Sequence, residues 1–415
     1  MDYLLKNGTI YVDGKLVKKD LSIVGGKVSF LNQPSSTDVQ IIDCENLFIF
    51  PGFIDVHTHL REPGFSYKET VKTGTDAGAS AGYSVLFTMP NLNPVPDSIE
   101  NLKIQQDIID RDAKIKVYPL ASITKGEKGK ELSPINELSS KVIGFSDDGK
   151  GVQSDEMMKT AMKLAKENGK FIVAHCEDES LLDGGYIHDG EYARLHSHKG
   201  ISSASEYKQV ERDLILAEEV GVKYHVCHVS TKESVEAIRN AKKRGVDVTA
   251  ETGPHYLVLN DMMLKESGDF KMNPPIRAEE DRLALVNGIK DGTIEMLATD
   301  HAPHSKEEKS KGLLSLNGVV GLETAFPIMY TYLVKTGEIS LEKLIEIMSV
   351  NPSKRFDLGI EIKEGAIANL NVYDLSSEYV IDPNNFKSMG KSSPFNGFKV
   401  NGKCVANFYN GKKVF

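Results

Sequence analysis

Two short histidine motifs contain the residues best suited to chemistry in this chain. One is Asp-Val-His-Thr-His-Leu-Arg at residues 55–61, and the other is Thr-Asp-His-Ala-Pro-His at residues 299–304. The first follows an apolar run that is typical of a buried strand. Residues i and i+2 of a strand point to the same face, so His57 and His59 should converge on one point. Two converging imidazoles at the end of a strand are typical of a metal site.

Further polar side chains stand at the ends of other apolar runs between the two motifs. They are Asp147 and Asp148, His175, and the pair His225 and His228. Asp300, in the second motif, ends one more run. Histidine and carboxylate ligands without a thiolate suit Zn²⁺ and, less exclusively, other divalent first-row ions. The sequence therefore predicts a pocket for one or two metal ions.

Strand alternation leaves a choice at two of these positions. Only one of Asp147 and Asp148 can point into the pocket, and the other can cap the turn at Gly149. His225 and His228 are three residues apart, which places them on opposite faces of a regular strand. We favour His228, because it lies closer to the carboxyl end of its strand.

Other histidines and cysteines have simpler interpretations. Cys176 and Cys227 each stand next to a candidate ligand, so alternation turns them toward the surrounding helices as buried apolar side chains. His255 follows the seventh strand and either lines the mouth of the pocket or forms a local hydrogen bond. We place three histidines in a solvated connection outside the site: His188, His196 and His198.

Beyond about Phe53, short apolar runs alternate with amphipathic helical stretches. The eight predicted strands are Phe53–His57, Ser84–Met89, Ile115–Ala121, Val142–Ser146, Phe171–His175, Lys223–His228, Val246–Ala250 and Ile294–Thr299. Eight such units predict an α/β fold, a (β/α)8 TIM-type barrel. In this architecture the catalytic groups lie at the carboxyl ends of the strands, where the polar clusters stand.

The two ends of the chain have a different pattern. Hairpin signals at Asn7-Gly8, Asp13-Gly14 and Gly25-Gly26 punctuate the first segment. Strand-like runs return at residues 369–375 and 404–409. We expect the ends to pair in a small β-sandwich domain of residues 1–50 and 356–415, packed against a barrel of residues 51–355.

Composition excludes several classes of protein. The 415 residues are 40% hydrophobic and 26% charged, which is ordinary for a globular protein. No apolar run of about 18 residues is present, so a membrane span is not expected. A net charge of −9 without a strong basic cluster argues against nucleic acid as a partner. Four cysteines make no disulfide framework, and the N-terminal residues lack a secretory signal, so we expect a cytoplasmic protein.

Several stretches together resemble one known family. Residues 51–64, 88–91 and 298–304 look like the corresponding motifs of dihydroorotases of the class I bacterial type, in the amidohydrolase superfamily. Residues 145–149, 174–177, 226–232 and 272–275 add to the similarity, which runs through nearly the whole chain. The resemblance implies a homodimeric hydrolase that interconverts dihydroorotate and N-carbamoyl-L-aspartate in de novo pyrimidine biosynthesis.

The resemblance also assigns site residues position by position. It implies that His57, His59 and Asp300 hold the more buried zinc, that His175 and His228 hold the second, and that Asp148 bridges them. It puts Arg61, Asn91 and His304 on the substrate carboxylate. The substrate-contacting set that it implies is His59, Arg61, Asn91, Asn273, His304, Asn317 and Gly318. Many relatives have an aromatic residue where Asn317 stands, so the packing of the substrate ring should differ there.

The chemistry agrees with this assignment. Opening a cyclic amide at neutral pH needs a nucleophile stronger than water, and Zn²⁺ supplies one by lowering the pKa of a bound water to about 7. Asp300 can take the proton from this water and deliver it to the departing ring nitrogen. Arg61 offers a planar cation to a substrate carboxylate.

Two rival functions are considered. Hydantoinases and allantoinases of the same superfamily usually carry a metal-bridging carbamylated lysine on the fourth strand, but residues 142–149 contain no lysine. The second rival is a catalytically silent homologue that scaffolds aspartate transcarbamoylase. Such proteins generally lose ligands, whereas all six candidate ligands are present here.

Overall fold

The computed structural model describes residues 1–30 and 39–415. The strands of the N-terminal segment are β1 (Asp2–Lys6), β2 (Thr9–Val12), β3 (Lys15–Lys18), β4 (Leu21–Val24), β5 (Lys27–Ser29), β6 (Val39–Asp43) and β7 (Phe48–Pro51). The central strands are β8 (Phe53–Thr58), β9 (Tyr83–Thr88), β10 (Lys116–Pro119), β11 (Gly144–Phe145), β12 (Phe171–Ala174), β13 (Ile187–His188), β14 (Gly200–Ile201), β15 (Lys223–Val226), β16 (Val248–Thr252) and β17 (Met296–Leu297). The C-terminal strands are β18 (Leu370–Val380), β19 (Lys399–Tyr409) and β20 (Lys412–Lys413).

Twelve α-helices are present in the described residues. They are α1 (Val71–Ser80), α2 (Ile99–Asp112), α3 (Ile135–Leu138), α4 (Asp155–Glu167), α5 (Glu191–His196), α6 (Ala204–Val220), α7 (Lys232–Lys243), α8 (Pro254–Val258), α9 (Glu279–Asp291), α10 (Ala325–Met329), α11 (Leu341–Ile345) and α12 (Asn351–Arg355). Wider π-helical turns at Tyr330–Val334 and Glu346–Val350 extend α10 and α11. No helix of the described residues is long and apolar enough to cross a membrane.

All eight strands predicted for the central region are present, and they form two parallel sheets. One sheet has the order β10-β9-β8 and the other β11-β12-β15-β16-β17. A parallel bridge between Ala121 and Phe145 links the β10 edge of the first sheet to the β11 edge of the second. A second parallel bridge, between Thr58 and His301, links the β8 edge of the first sheet to the segment after β17. The His59 N–H reinforces the second link by donating to the His301 carbonyl at 2.8 Å. The eight strands are thus connected at both edges of the two sheets.

The outer helices bury one face against these strands. In α4, Ser154 caps the first turn by accepting from the Met157 N–H. The buried residues of this helix recur at helical spacing: Met158, Ala161, Met162 and Ala165. Because only one face is apolar, this helix packs on the sheet with its polar face outward.

A separate apolar cluster packs among the central strands themselves. It contains Ile54, Val56, Val85, Phe87, Met89, Leu120, Phe171, Val173, Cys227, Met296, Ala298, Phe356 and Ile360. The presence of Cys227 shows that its predicted helix-facing orientation was wrong. Strand β15 ends at Val226, and His228 has a φ of +31°, so regular alternation does not extend through this segment. Cys176 does lie in the helix-facing layer, near Tyr224.

The two ends of the chain form two further sheets, ordered β5-β4-β1-β6 and β20-β19-β18-β7-β2-β3. Strand β18 pairs with β7 in antiparallel register, so the predicted pairing of the chain ends is present. The apolar side chains packed between these elements include Leu5, Ile10, Ile49 and Phe408.

Candidate metal and substrate site

The predicted metal ligands come together at the carboxyl ends of the central strands. Three of them form one buried group, in which Asp300 Oδ1 lies 3.0 Å from His59 Nε2 and 3.5 Å from His57 Nε2. A second group joins His57, Asp148 and His228. Its Asp148 Oδ1 lies 3.3 Å from His57 Nε2 and 3.7 Å from His228 Nε2.

His175 completes the cluster. Its Nδ1 lies 2.9 Å from His228 Nε2 and 3.8 Å from Asp148 Oδ1. All six predicted ligands therefore lie around one small volume, although they come from five separate strand ends.

The donor atoms fit a divalent metal ion. Two ligands that each lie about 2.1 Å from one tetrahedral ion are about 3.4 Å apart, which is close to the separations between these atoms. The buried atoms His57 Nε2 and Asp148 Oδ1 have no hydrogen-bond partner among the described residues. Buried polar atoms are normally satisfied, so a cation between them supplies the missing partner.

Both carboxylates are ionised in this environment. Burial by itself raises the pKa of Asp148, but electrostatic attraction to the neighbouring imidazoles, that of His57 above all, holds it well below its usual value. Burial also raises the pKa of Asp300, but the hydrogen bond with His59 and the attraction of the surrounding histidines together lower it below its usual value. Two negative oxygens thus face the imidazoles, as a cation site requires.

Asp147 and His225 lie outside the ligand cluster. The Asp147 carboxylate accepts from the backbone N–H groups of Ile123 at 2.8 Å and Thr124 at 3.0 Å, so it fixes the loop after β10 instead of the turn at Gly149. His225 points toward the same interior as His228 and not to the opposite face, because the positive φ of His228 breaks the alternation. His225 lies deeper and contacts Glu251.

Three further histidines, each with a simpler predicted role, lie elsewhere in the structure. His255 is buried and does not line the pocket, and its Nε2 has no hydrogen-bond partner among the described residues. His188, predicted to be solvated, is buried beside Arg277. His198 is half-buried and contacts Glu266. All three lie outside the ligand cluster.

A cavity of about 180 Å³ opens above the ligands. The seven residues predicted to contact substrate all line it: His59, Arg61, Asn91, Asn273, His304, Asn317 and Gly318. Gly318 has a φ of +134°, and a Cβ there would lie 2.5 Å from the Ala302 carbonyl oxygen. Only glycine fits this wall of the cavity.

A fixed positive charge lies at one end of the cavity. Arg61 is 8% exposed, its Nε donates to the Pro303 carbonyl at 3.1 Å, and its Nη2 lies 3.4 Å from His304 Nε2. His304 Nε2 donates to the Asn317 carbonyl at 2.7 Å. Burial, Arg61 and Lys68 lower the pKa of His304 to about 3, so its ring is neutral. Arg61 therefore supplies the charge in this part of the cavity.

Three residues of the site have left-handed backbone conformations. Arg61, His228 and Asp300 have φ values of +62°, +31° and +48°. Left-handed conformations are costly for non-glycine residues and persist where the surrounding structure enforces them. Each of these residues is held by the ligand cluster or by the cavity wall.

Sequence reasoning missed two carboxylates that contact site residues. Glu251 lies 2.7 Å from His57 Nδ1, and Glu177 accepts from Asn273 Nδ2 at 3.0 Å. A charged residue directly after the predicted strand Val246–Ala250 was the available signal for Glu251, because a carboxylate buried at a strand end needs partners.

Comparison with known proteins identifies the family. A family model described as dihydro-orotase-like matches residues 46–234. A dihydroorotase of Fusobacterium nucleatum is 49% identical over 99% of this chain and 98% of its own length. One from Bacillus caldolyticus is 45% identical over 100% of this chain and 99% of its own length. The chain belongs to the dihydroorotase family.

Solved structures of hydantoinases are similar in fold to this member of the dihydroorotase family. The L-hydantoinase (dihydropyrimidinase) of Arthrobacter aurescens has a TM-score of 0.89 at 25% identity and covers 99% of this chain and 95% of its own. A D-hydantoinase has a TM-score of 0.87 at 24% identity, with 100% and 95% covered. The likeness to dihydroorotases in sequence is much stronger than the likeness to either hydantoinase.

Proposed function

We propose that this chain interconverts (S)-dihydroorotate and N-carbamoyl-L-aspartate in pyrimidine biosynthesis. The observation that carries the proposal is the set of six buried ligands beneath a cavity whose far end holds Arg61. Full-length relatives named dihydroorotase support the same reaction. A hydantoinase activity is not favoured, because residues 142–149 contain no lysine and Asp148 occupies the bridging position.

We infer that the eight central strands close into a (β/α)8 barrel, supported by the two bridges that link the sheet edges. Residues 51–355 then form the barrel domain. Residues 1–50 and 356–415 form the small β-sandwich, and residues 31–38 of the first range lie outside the described residues.

The metal is zinc, with one or two ions for each subunit. His57, His59 and Asp300 would hold the more buried ion, His175 and His228 would hold the second, and Asp148 would be the ligand shared between them. A zinc ion bound there lowers the pKa of a water molecule and polarises the amide carbonyl. The histidine and carboxylate donor set supports this metal class.

Asp300 is the general base and acid of the reaction. Its Oδ1 faces His57 and His59 at the floor of the cavity, and its lowered pKa keeps the carboxylate ionised. In the hydrolytic direction Asp300 takes the proton from the attacking water. It then delivers this proton to the ring nitrogen as the amide bond breaks.

The chain orients the substrate through its carboxylate. Arg61 offers charged N–H groups, and Asn91 and neutral His304 lie beside it on the cavity wall. Asn273 and the backbone at Gly318 contact the ring. The same carboxylate is present in substrate and product, so these contacts serve both directions.

The remaining proposals concern the setting of the enzyme. We propose a cytoplasmic homodimer, and association with aspartate transcarbamoylase is a partner to test. A catalytically silent scaffold is the second candidate function, and the presence of all six ligands argues against it.

The deciding experiment measures turnover of dihydroorotate, hydantoin and allantoin by purified protein of known zinc content. We expect dihydroorotate turnover alone, lost on chelation and restored by zinc. Turnover of hydantoin in preference to dihydroorotate would overturn the substrate assignment. No turnover of any of the three by zinc-loaded protein would favour the silent scaffold.

A further inference from the structure

A line of buried polar side chains runs from the interior of the strands to the metal ligands. Thr249 Oγ1 lies 2.8 Å from His225 Nδ1, and His225 Nε2 lies 2.9 Å from Glu251 Oε2. The other oxygen, Glu251 Oε1, lies 2.7 Å from His57 Nδ1. His57, His225 and Glu251 are 0% exposed.

The chemistry of these groups fixes the tautomer of His57. An ionised carboxylate can only accept hydrogen bonds, so the hydrogen of His57 lies on Nδ1. In the neutral ring the lone pair then lies on Nε2, which faces Asp148 at 3.3 Å and Asp300 at 3.5 Å. This is the state that a metal ligand needs.

Glu251 also contacts the second part of the cluster. Its Oε1 accepts from the His228 N–H at 3.3 Å. His228 is the residue whose positive φ turns its side chain into the cluster. One carboxylate therefore touches the ring of one ligand and the backbone of another.

We propose that Glu251 is a positioning residue that holds His57 and the His228 backbone in the geometry for metal binding, and that His225 anchors its carboxylate. This inference rests on the proposed metal site but not on the identity of the substrate. It extends the site by two residues that do not contact the cavity.

A competing interpretation makes Glu251 itself a ligand. His57, Cys227 and Glu251 form a third buried group of possible donors. However, His57 faces Asp148 and Asp300 through Nε2, whereas its Nδ1 lies 2.7 Å from Glu251 Oε1, at hydrogen-bond distance and on the other side of the ring. The geometry points to positioning, and Cys227 offers a variant that separates the two interpretations.

The test compares Glu251→Ala, Glu251→Gln and Cys227→Ala in the full chain. Zinc affinity is measured by competition with a chromophoric chelator, and thermal unfolding of the metal-free proteins reports on folding. Loss of a carboxylate that orients a ligand histidine typically weakens metal binding by about 10- to 100-fold. We expect the upper part of this range for Glu251→Ala and the lower part for Glu251→Gln, which keeps the volume and a hydrogen bond but lacks the charge.

Cys227→Ala is the matched control and should keep the affinity of the unmodified protein. A loss in Cys227→Ala equal to that in Glu251→Ala would overturn the proposal in favour of the third donor group. Unchanged zinc affinity in both Glu251 variants would also overturn it. If Glu251→Ala does not fold, the isosteric Glu251→Gln decides, and unchanged affinity in that variant alone refutes the role.

A second readout distinguishes positioning from general stabilisation. Nitrogen-15 NMR of the zinc-loaded protein with labelled histidine should show His57 protonated at Nδ1, and this signal should change in Glu251→Gln. A His57 ring protonated at Nε2 would contradict the proposal. Absence of dihydroorotate turnover in the unmodified protein would refute the proposed function and leave the zinc affinities to decide the role of Glu251.

Discussion

Replacement of Arg61 by methionine tests whether one fixed cation binds the substrate carboxylate. Methionine has a similar length, and both residues bear the same left-handed strain at φ +62°, so the change removes mainly the charge and the donors. Since Nε is already bonded to Pro303, the Nη groups are the donors lost to the substrate. Hydrogen bonds to charged groups contribute about 1.5–3 kcal/mol, which corresponds to an increase in KM of about 10- to 150-fold.

The assay measures KM and kcat for dihydroorotate and for N-carbamoyl-L-aspartate, with zinc content determined on the same samples. KM should rise in both directions with a smaller change in kcat, because the carboxylate is unchanged during the reaction. Arg239→Met is the control, because Arg239 pairs with Glu236 and Asp291 on the outer surface of α7. An unchanged KM in Arg61→Met, or a loss of zinc, would refute the reasoning.

Four further outcomes are expected. Asp300→Asn should lower kcat by about 10²- to 10⁴-fold, and a loss below about tenfold would exclude its role in proton transfer. Gly318→Ala should weaken substrate binding and lower the free energy of unfolding by about 1–3 kcal/mol, because the new Cβ would meet the Ala302 carbonyl. An unchanged melting temperature together with an unchanged KM would contradict this. Because the pKa of His304 is lowered to about 3, its ring stays neutral from about pH 5 to about pH 8, and KM should show no titration of this histidine over that range. An ionisation near about pH 6.5 in the KM profile that disappears in His304→Asn would show that His304 is charged. Chelation should abolish activity and zinc should restore it, and activity that survives complete removal of metal would exclude a metal mechanism.

The fold was predictable because its signals are local. Each parallel strand is an apolar run of a few residues, and each outer helix repeats buried positions at helical spacing, as α6 does over residues 204–220. Predicted boundaries failed where side chains replace the sheet ladder. The last strand stops at Leu297, because the Thr299 N–H donates to Asp55 Oδ1 at 3.2 Å instead of continuing the pairing.

The ligand set was predictable for a different reason. Strand ends of a parallel α/β fold meet at one edge, so histidines and aspartates at those ends must lie close together whatever the details of packing. Predictions that relied on strand alternation failed next to the site. Cys227 and His225 both point inward, as residues two apart in a strand do, and the positive φ of His228 brings that side chain into the ligand cluster as well.

The sequence by itself determined the strands, the ligand types and the family, because these depend on residue identity and on periodicity along the chain. The tertiary structure decided which of two adjacent aspartates faces the metal cluster and which carboxylate holds His57. The Asp147 carboxylate accepts hydrogen bonds from N–H groups of a neighbouring loop and so points away from the cluster. Glu251 contacts His57 from a separate strand. Such choices depend on partners far apart in the chain, whose positions are fixed only when the strands pack together.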